Sequence, residues 1–267
     1  MSAPPSTAEA GEEQTSALPS VSPTSPPHEF LQGLLIAEQA LQNASASWVT
    51  GTLALTFILV SSVYTFELYP LFLLGEATLR PFFELAPLLF TLYLPALTMG
   101  TFAEERRSGH LEILASLPLS DRALIGGKFL AGLVILIGLL TLTLPWALLF
   151  SAYAPLDWGP VITGYLGLLL LGATYLALGL WVSALTEHPF VTWLSSATLC
   201  ISLYLAGVGA PLLPQPWGTW LYQLSFESHL RPFARGVIDS RDLIFFLVFI
   251  GSSLTCAVTT LHRRRWR

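Results

Sequence analysis

Six uninterrupted apolar stretches dominate this chain of 267 residues, each close to or above the roughly 20 residues a helix needs to cross a bilayer. They run at about 48–66, 84–102, 128–152, 159–185, 190–209 and 243–262. A backbone in hydrocarbon must satisfy its own polar groups, so runs of this length read as helices. Composition agrees. Some 53 % of the residues are apolar and 11 % charged, a balance that a water-soluble domain of this size could not bury without a largely apolar surface. The expected fold is an all-α membrane protein with six transmembrane helices.

Residues 1–28 hold Pro, Ser, Thr, Ala and Glu with almost no large apolar side chain, which predicts a disordered cytoplasmic tail. With neither a basic region nor an apolar core, the tail does not read as a secretory signal. Residues 29–267 are expected to form one membrane domain. From Glu29 to Gln42, the residues Phe30, Leu31, Leu34, Leu35 and Leu41 recur at helical spacing among Gln32, Glu38, Gln39 and Gln42. That pattern predicts an interfacial amphipathic helix ahead of the first span; a helix packed on a cytosolic partner is the alternative. Residues Leu212 to Leu224 are apolar too, but Pro211, Pro214, Pro216 and Gly218 interrupt them. They are expected to form a re-entrant or interfacial segment, with Trp217, Trp220 and Tyr222 at headgroup depth.

Six spans place both termini on one side. If that side is the cytoplasm, Arg106, Arg107, Arg122, Lys128, Arg263, Arg264, Arg265 and Arg267 lie inside, against Arg80, Arg231, Arg235 and Arg241 outside. The positive-inside bias therefore puts both termini in the cytoplasm. Glu227, Asp239 and Asp242 are near enough in sequence to pair with the outer arginines. Because the acids concentrate in the tail and the bases at membrane edges, no basic face exists for nucleic acid.

Catalytic patterns are sparse. Gly127-Lys128 superficially suggests a phosphate-binding loop, but Arg122 stands where glycine is needed and Phe129 where Ser or Thr would hold magnesium. The histidines His28, His110, His188, His229 and His262 lack the spacing of a helical metal site. Cys200 and Cys256 sit inside apolar runs, where cysteine acts as a small hydrophobe. Glu67, Glu84, Glu104 and Lys128 all fall at the ends of spans, so the spans offer no internal ionisable group for proton coupling and no convergent polar set for an embedded enzyme.

The stretch between the second and third spans is different in kind. Glu104, Glu105, Arg106 and Arg107 follow the second span, Ser108-Gly109 can redirect the chain, and Leu111, Ile113, Leu114 and Leu117 run apolar toward Pro118. Ser120 and Asp121 can then cap the third span. This describes a short helix parallel to the membrane, charged at one end and apolar on one face. A solvated loop whose charges only set topology is the plainer reading.

The ordered string from Met99 to Asp121, followed by Gly127, Lys128, Phe129, Leu130 and Ala131, resembles ABC-2 type permeases, in particular the gliding-motility GldF- and NosY-like branch. Ser228, His229, Leu230, Phe233, the run Arg235 to Asp239, Arg241 and Asp242 are similar to that family's segment before the last span, as is the ending at Trp266. The resemblance implies a type V exporter-like permease fold in which the inner loop is a coupling helix docked on a separate ATPase subunit. The matching positions are Glu104, Glu105, Arg106, Arg107, Ser108, Gly109, Leu111 and Glu112, with a second cytoplasmic contact at Glu187 and His188. This chain departs from the family pattern at His110, where threonine is usual, and at Glu187 and His188, where Asn-Gln is expected.

The resemblance further implies two ATPase copies, which bind the ATP and magnesium, and a second permease copy or a homologous permease. Lipid bilayer surrounds the pair, with room for an accessory extracytoplasmic subunit. The chain itself would bind no cofactor or metal and would not be an enzyme. Its expected place is the bacterial inner membrane, and its expected role is coupling ATP hydrolysis to export or to mechanical work. A non-transporting anchor of a motility or assembly complex is the alternative. Small residues such as Ala173 and Ala177, four apart in the fourth span, permit close helix contact.

Overall fold

The computed structural model describes residues 33–42, 47–68, 78–99, 120–153 and 155–265, and among these there is no strand. Helix α1 covers residues 33–42. It is followed by α2 (Trp48–Val63, prolonged by a wider turn over Tyr64–Leu68), α3 (Arg80–Thr98), α4 (Asp121–Tyr153), α5 (Trp158–Leu185) and α6 (Pro189–Gly209). Two short helices, α7 (Trp217–Leu224) and α8 (Phe226–Ala234), precede α9 (Ser240–Arg265). Six of these, α2 to α6 and α9, are long and apolar enough to cross a membrane. The tail over residues 1–28 lies outside the described residues.

Two span boundaries differ from expectation, each for a local reason. The second span starts at Arg80, not at residue 84, because Pro81 supplies a pre-set φ at the first helical turn and Arg80 pairs with Glu84 one turn on, Nε to Oε1 at 3.0 Å. The third starts at Asp121, not at residue 128: as expected, Ser120 caps it, its Oγ accepting the Ala123 amide at 3.2 Å. Seven residues of added helix carry Lys128 inside the bundle, where it is 5 % exposed. Asp242, in the first turn of α9, is 6 % exposed. The expectation that the spans hold no internal ionisable group is thus corrected at Lys128, while Asp242 is buried at the end of its span.

Helix α5 is the axis of the bundle. Some 83 % of its apolar stretch is buried, against 17 % for α2 and for α9, so neighbours must pack around all its faces. Small residues make that possible. A Cβ at Gly164 would lie 2.7 Å from the Phe83 ring of α3, at Gly167 2.8 Å from Phe233 Cβ of α8, and at Gly172 2.6 Å from Leu136 of α4. Ala173 and Ala177 are buried as well, in keeping with the close contact their spacing suggested. Aromatic rings fill the rest: Phe57 of α2 stacks on Phe90 of α3 at 5.5 Å, and Phe226, Phe233 and Phe246 join α8 to α9. Leu55 and Leu59 on α2, with Ile244, Leu247 and Val248 on α9, face outward. Lipid or another chain can cover such faces without desolvation cost.

The first helix docks on a face other than the one expected. Gly33 is buried, and Ile36, Ala37, Ala40 and Leu41 are partly covered, while Leu34 and Leu35 are exposed. Spacings of three and four make the covered residues one helical stripe. Ile36 packs against the cluster of Leu124, Ile125, Leu180, Ala257 and Leu261, and a Cβ on Gly127 of α4 would lie 2.6 Å from the Gly33 carbonyl oxygen. Small residues at the crossing, invisible to a count of large apolar ones, set the docking face. Gly127→Val is expected to lift α1 off α4 at a cost of about 1–3 kcal/mol. Hydrogen exchange should then quicken over residues 33–42 and stay unchanged in α5.

Candidate functional site

The bundle has two ends of different chemistry. At the end we call lower, α3 finishes where Thr98 packs on Gly179 of α5, and α4 begins just after Ser120. Asp121 Oδ2 meets His262 Nδ1 of α9 at 3.1 Å. The same end carries α1 and the turn between α5 and α6. Both anchors of the segment over residues 100–119 therefore lie at the same end of the bundle as that turn.

Of the residues expected to dock a partner, Glu104, Glu105, Arg106, Arg107, Ser108, Gly109, Leu111 and Glu112 fall outside the described residues, as does His110. Glu187 and His188 are described, and both are exposed. Threonines brace their turn. Thr186 Oγ1 donates to the Val182 carbonyl at 2.9 Å and meets Thr192 Oγ1, while the Thr192 amide donates to the His188 carbonyl at 3.0 Å. Pro189 opens α6. The result is a rigid turn that presents one acidic and one imidazole side chain outward. Gly127 and Lys128 lie within the unbroken helix α4, not in the loop that a phosphate cradle requires.

At the upper end, the chain from Ala210 to Asp242 builds a joint. Prolines stop α6 as expected, and Gly218 lets α7 fold back on it, since a Cβ there would lie 2.6 Å from the Ala210 carbonyl oxygen. Trp217, Trp220 and Tyr222 point outward, at 70 %, 69 % and 44 % exposure. Ser225 begins α8 by accepting the Glu227 amide at 3.2 Å and donating to the Tyr204 carbonyl of α6 at 3.1 Å. The helix closes with paired bonds from Gly236 N to Phe233 O (3.1 Å) and from Val237 N to Pro232 O (3.0 Å). This closure needs the positive φ of 88° that Gly236 adopts. Thr163 Oγ1 of α5 also donates to the Phe233 carbonyl at 2.6 Å, and Asp239 caps α9 by accepting the Arg241 amide at 3.0 Å. Most residues that carried the resemblance ahead of the last span are the ones that build this joint.

Beside the joint, a cleft of about 710 Å³ opens between α3, α5, α6 and α8. Arg80, Glu84, Asp157, Tyr204, Glu227, Arg231 and Arg235 line it over an apolar floor that includes Phe83, Val161 and Leu230. Glu227 pairs with Arg231 through one carboxylate oxygen, a hydrogen bond that raises the guanidinium's pKa further. Its second oxygen, Oε2, is buried with no hydrogen-bond partner, against Gly207 of α6, where a Cβ would approach it to 2.9 Å. Of the pairings expected for the outer charges, Arg231 with Glu227 forms. Asp239 instead serves a backbone amide, and Asp242 bonds His229 at 2.6 Å.

The spacing of Arg80 with Glu84, and of Glu227 with Arg231, was legible as helix pairs. Their convergence on one cleft was not, because residues 84 and 227 meet only through the packing on α5. Among the described residues, no three His, Cys, Asp or Glu side chains gather as metal ligands. A family model described as ABC-2 family transporter protein matches residues 14–260. No curated protein matches the chain.

Proposed function

The chain belongs to the ABC-2 transporter family, and on that premise we propose that it is the permease subunit through which a separate ATPase drives export or mechanical work. Multi-pass membrane character follows from the six apolar helices and the family; the coupling is the further step. In this reading two ATPase copies bind ATP and magnesium and close on nucleotide. The segment holding Glu104 to Glu112 passes their displacement to α3 and α4, moving them as rigid bodies. A second permease copy completes the pathway, and both termini lie in the cytoplasm of a bacterial inner membrane. The GldF- and NosY-like branch is the subtype we assign, with residues 29–267 as one membrane domain.

One observation carries the reading. Both anchors of the segment over residues 100–119 stand at the end of the bundle that also presents Glu187 and His188, so a single partner surface can reach the two sites. The test is copurification followed by hydrolysis. The chain is expected to bring down an ATPase whose vanadate-sensitive activity rises with a transported substrate. Hydrolysis that no substrate stimulates, with no uptake into vesicles, would instead indicate a non-transporting anchor. Failure to retain any ATPase would overturn the proposal.

A further inference from the structure

Buried in the upper joint, His229 of α8 has both ring nitrogens engaged. Nδ1 lies 2.6 Å from Asp242 Oδ1 at the start of α9, and Nε2 lies 2.9 Å from the Gln223 carbonyl oxygen of α7. Phe245 stacks on the ring at 3.8 Å. Histidine and aspartate are 9 % and 6 % exposed, and the bond between them is buried.

A carbonyl oxygen only accepts, and so does an ionised carboxylate. A neutral imidazole has one N–H and cannot serve both. Making both bonds requires one more proton than a neutral histidine beside an aspartate carries. Whether that proton sits on the ring or on the carboxyl, the buried pair is then neutral overall. Without it, a ring nitrogen lone pair faces an oxygen lone pair in a buried site, and a net negative charge remains there.

We infer that His229 and Asp242 form a proton-held latch that fastens the α7–α8 pair to the last span, so that this joint tightens as pH falls and loosens as it rises. The sign follows from proton count: where a released histidine is neutral, the latched arrangement binds one more proton than the released one, so raising pH favours release, while at lower pH both hold that proton and the latch is at full strength. Other titratable groups stand on every neighbouring element. They are Glu227, Arg231 and Arg235 on or after α8, Tyr222 on α7, Tyr204 on α6, Asp157, Tyr165 and Tyr175 at or within α5, and Asp239 and Arg241 at α9. Among all of these, none bonds the ring, and Glu227 and Arg231 are engaged with each other on the cleft side. Because Glu227, Leu230 and Arg231 form one wall of the cleft, release of the latch frees that wall.

The experiment is hydrogen exchange on the full chain in lipid nanodiscs, between about pH 5 and about pH 8, where histidine changes charge. Protection of residues 226–234 is scaled to that of α5 to remove the intrinsic pH effect. In the native chain this ratio is expected to fall by about tenfold or more as pH rises, the scale of losing a charge-assisted bond. Asp242→Asn is the deciding variant. Its amide donates to Nδ1, leaving Nε2–H for Gln223, so both bonds form around a neutral ring. Protection should then no longer fall as pH rises; with the latched ring neutral, any step runs the other way, toward loss at low pH. His229→Gln, with no ring to titrate, should be flat, and Asp242→Ala should show low protection with no fall as pH rises. A flat profile in the native chain overturns the latch, whatever the variants do, and so does a loss of protection with rising pH that survives in Asp242→Asn.

Discussion

Replacing Glu105 and Arg107 together by alanine is expected to uncouple the ATPase while the chain still inserts in the membrane. The physical case rests on what the proposed docking segment would have to do. It has to transmit force across an interface to a partner that moves, and charges of both signs fix the register of such a contact more than they add to its affinity. Removing one charge leaves its neighbour to compensate; removing one of each sign takes away the register. Substrate-stimulated hydrolysis should drop by about tenfold or more, in line with coupling free energies of about 1–3 kcal/mol. Because the altered side chains follow the second apolar run of the sequence, the amount of chain recovered from membranes should not change. A double variant with full ATPase association and full stimulated activity would remove these residues from the coupling role. Glu187→Ala with His188→Ala should cause a smaller loss of the same kind, since their turn is held by Thr186 and Thr192 whatever the exposed side chains are.

The spans were legible in the sequence because a bilayer imposes length and apolarity on any helix that crosses it. Boundaries were less so. The apolar count placed the third span at residue 128 because Asp121, Arg122 and Lys128 look like an edge, whereas capping by Ser120 starts the helix at Asp121 and carries the lysine inward. The docking face of α1 was missed for a related reason: Gly33 and Gly127 scarcely register on a hydrophobicity scale, but they permit the approach that brings Ile36 onto α4. The family motif was legible before the last span without any statement of what it does. Structure shows that His229, Gly236, Asp239 and Asp242 are respectively a bridging ring, a left-handed turn, a helix cap and the ring's partner. None of these roles is a periodicity. The cleft was illegible because its two ion pairs come from chain segments more than a hundred residues apart.

Gly167→Val should be among the most damaging single substitutions in the described bundle. At Gly167 the nearest atoms to an added Cβ are Phe233 Cβ at 2.8 Å and Leu230 Cδ1 at 2.9 Å. The leucine methyl could swing aside, but the phenylalanine Cβ is fixed to the α8 backbone, which Thr163 also holds through the Phe233 carbonyl. Valine therefore forces α8 away from the bundle axis, breaking that bond and opening the apolar floor of the cleft. Overpacking of this kind costs about 1–3 kcal/mol, and the apparent Tm should fall by about 2–4 °C for each kcal/mol. Exchange should quicken first in residues 226–234. Gly251→Val is the control: it lies in α9 with nothing within 4 Å of an added Cβ, and its Tm should stay near that of the native chain. Equal losses in the two variants would mean that a β-branched residue in any span is harmful and that α5 has no special place. A loss confined to Gly167 ties the stability of the joint, and with it the setting of the latch, to how closely α8 can approach the central helix.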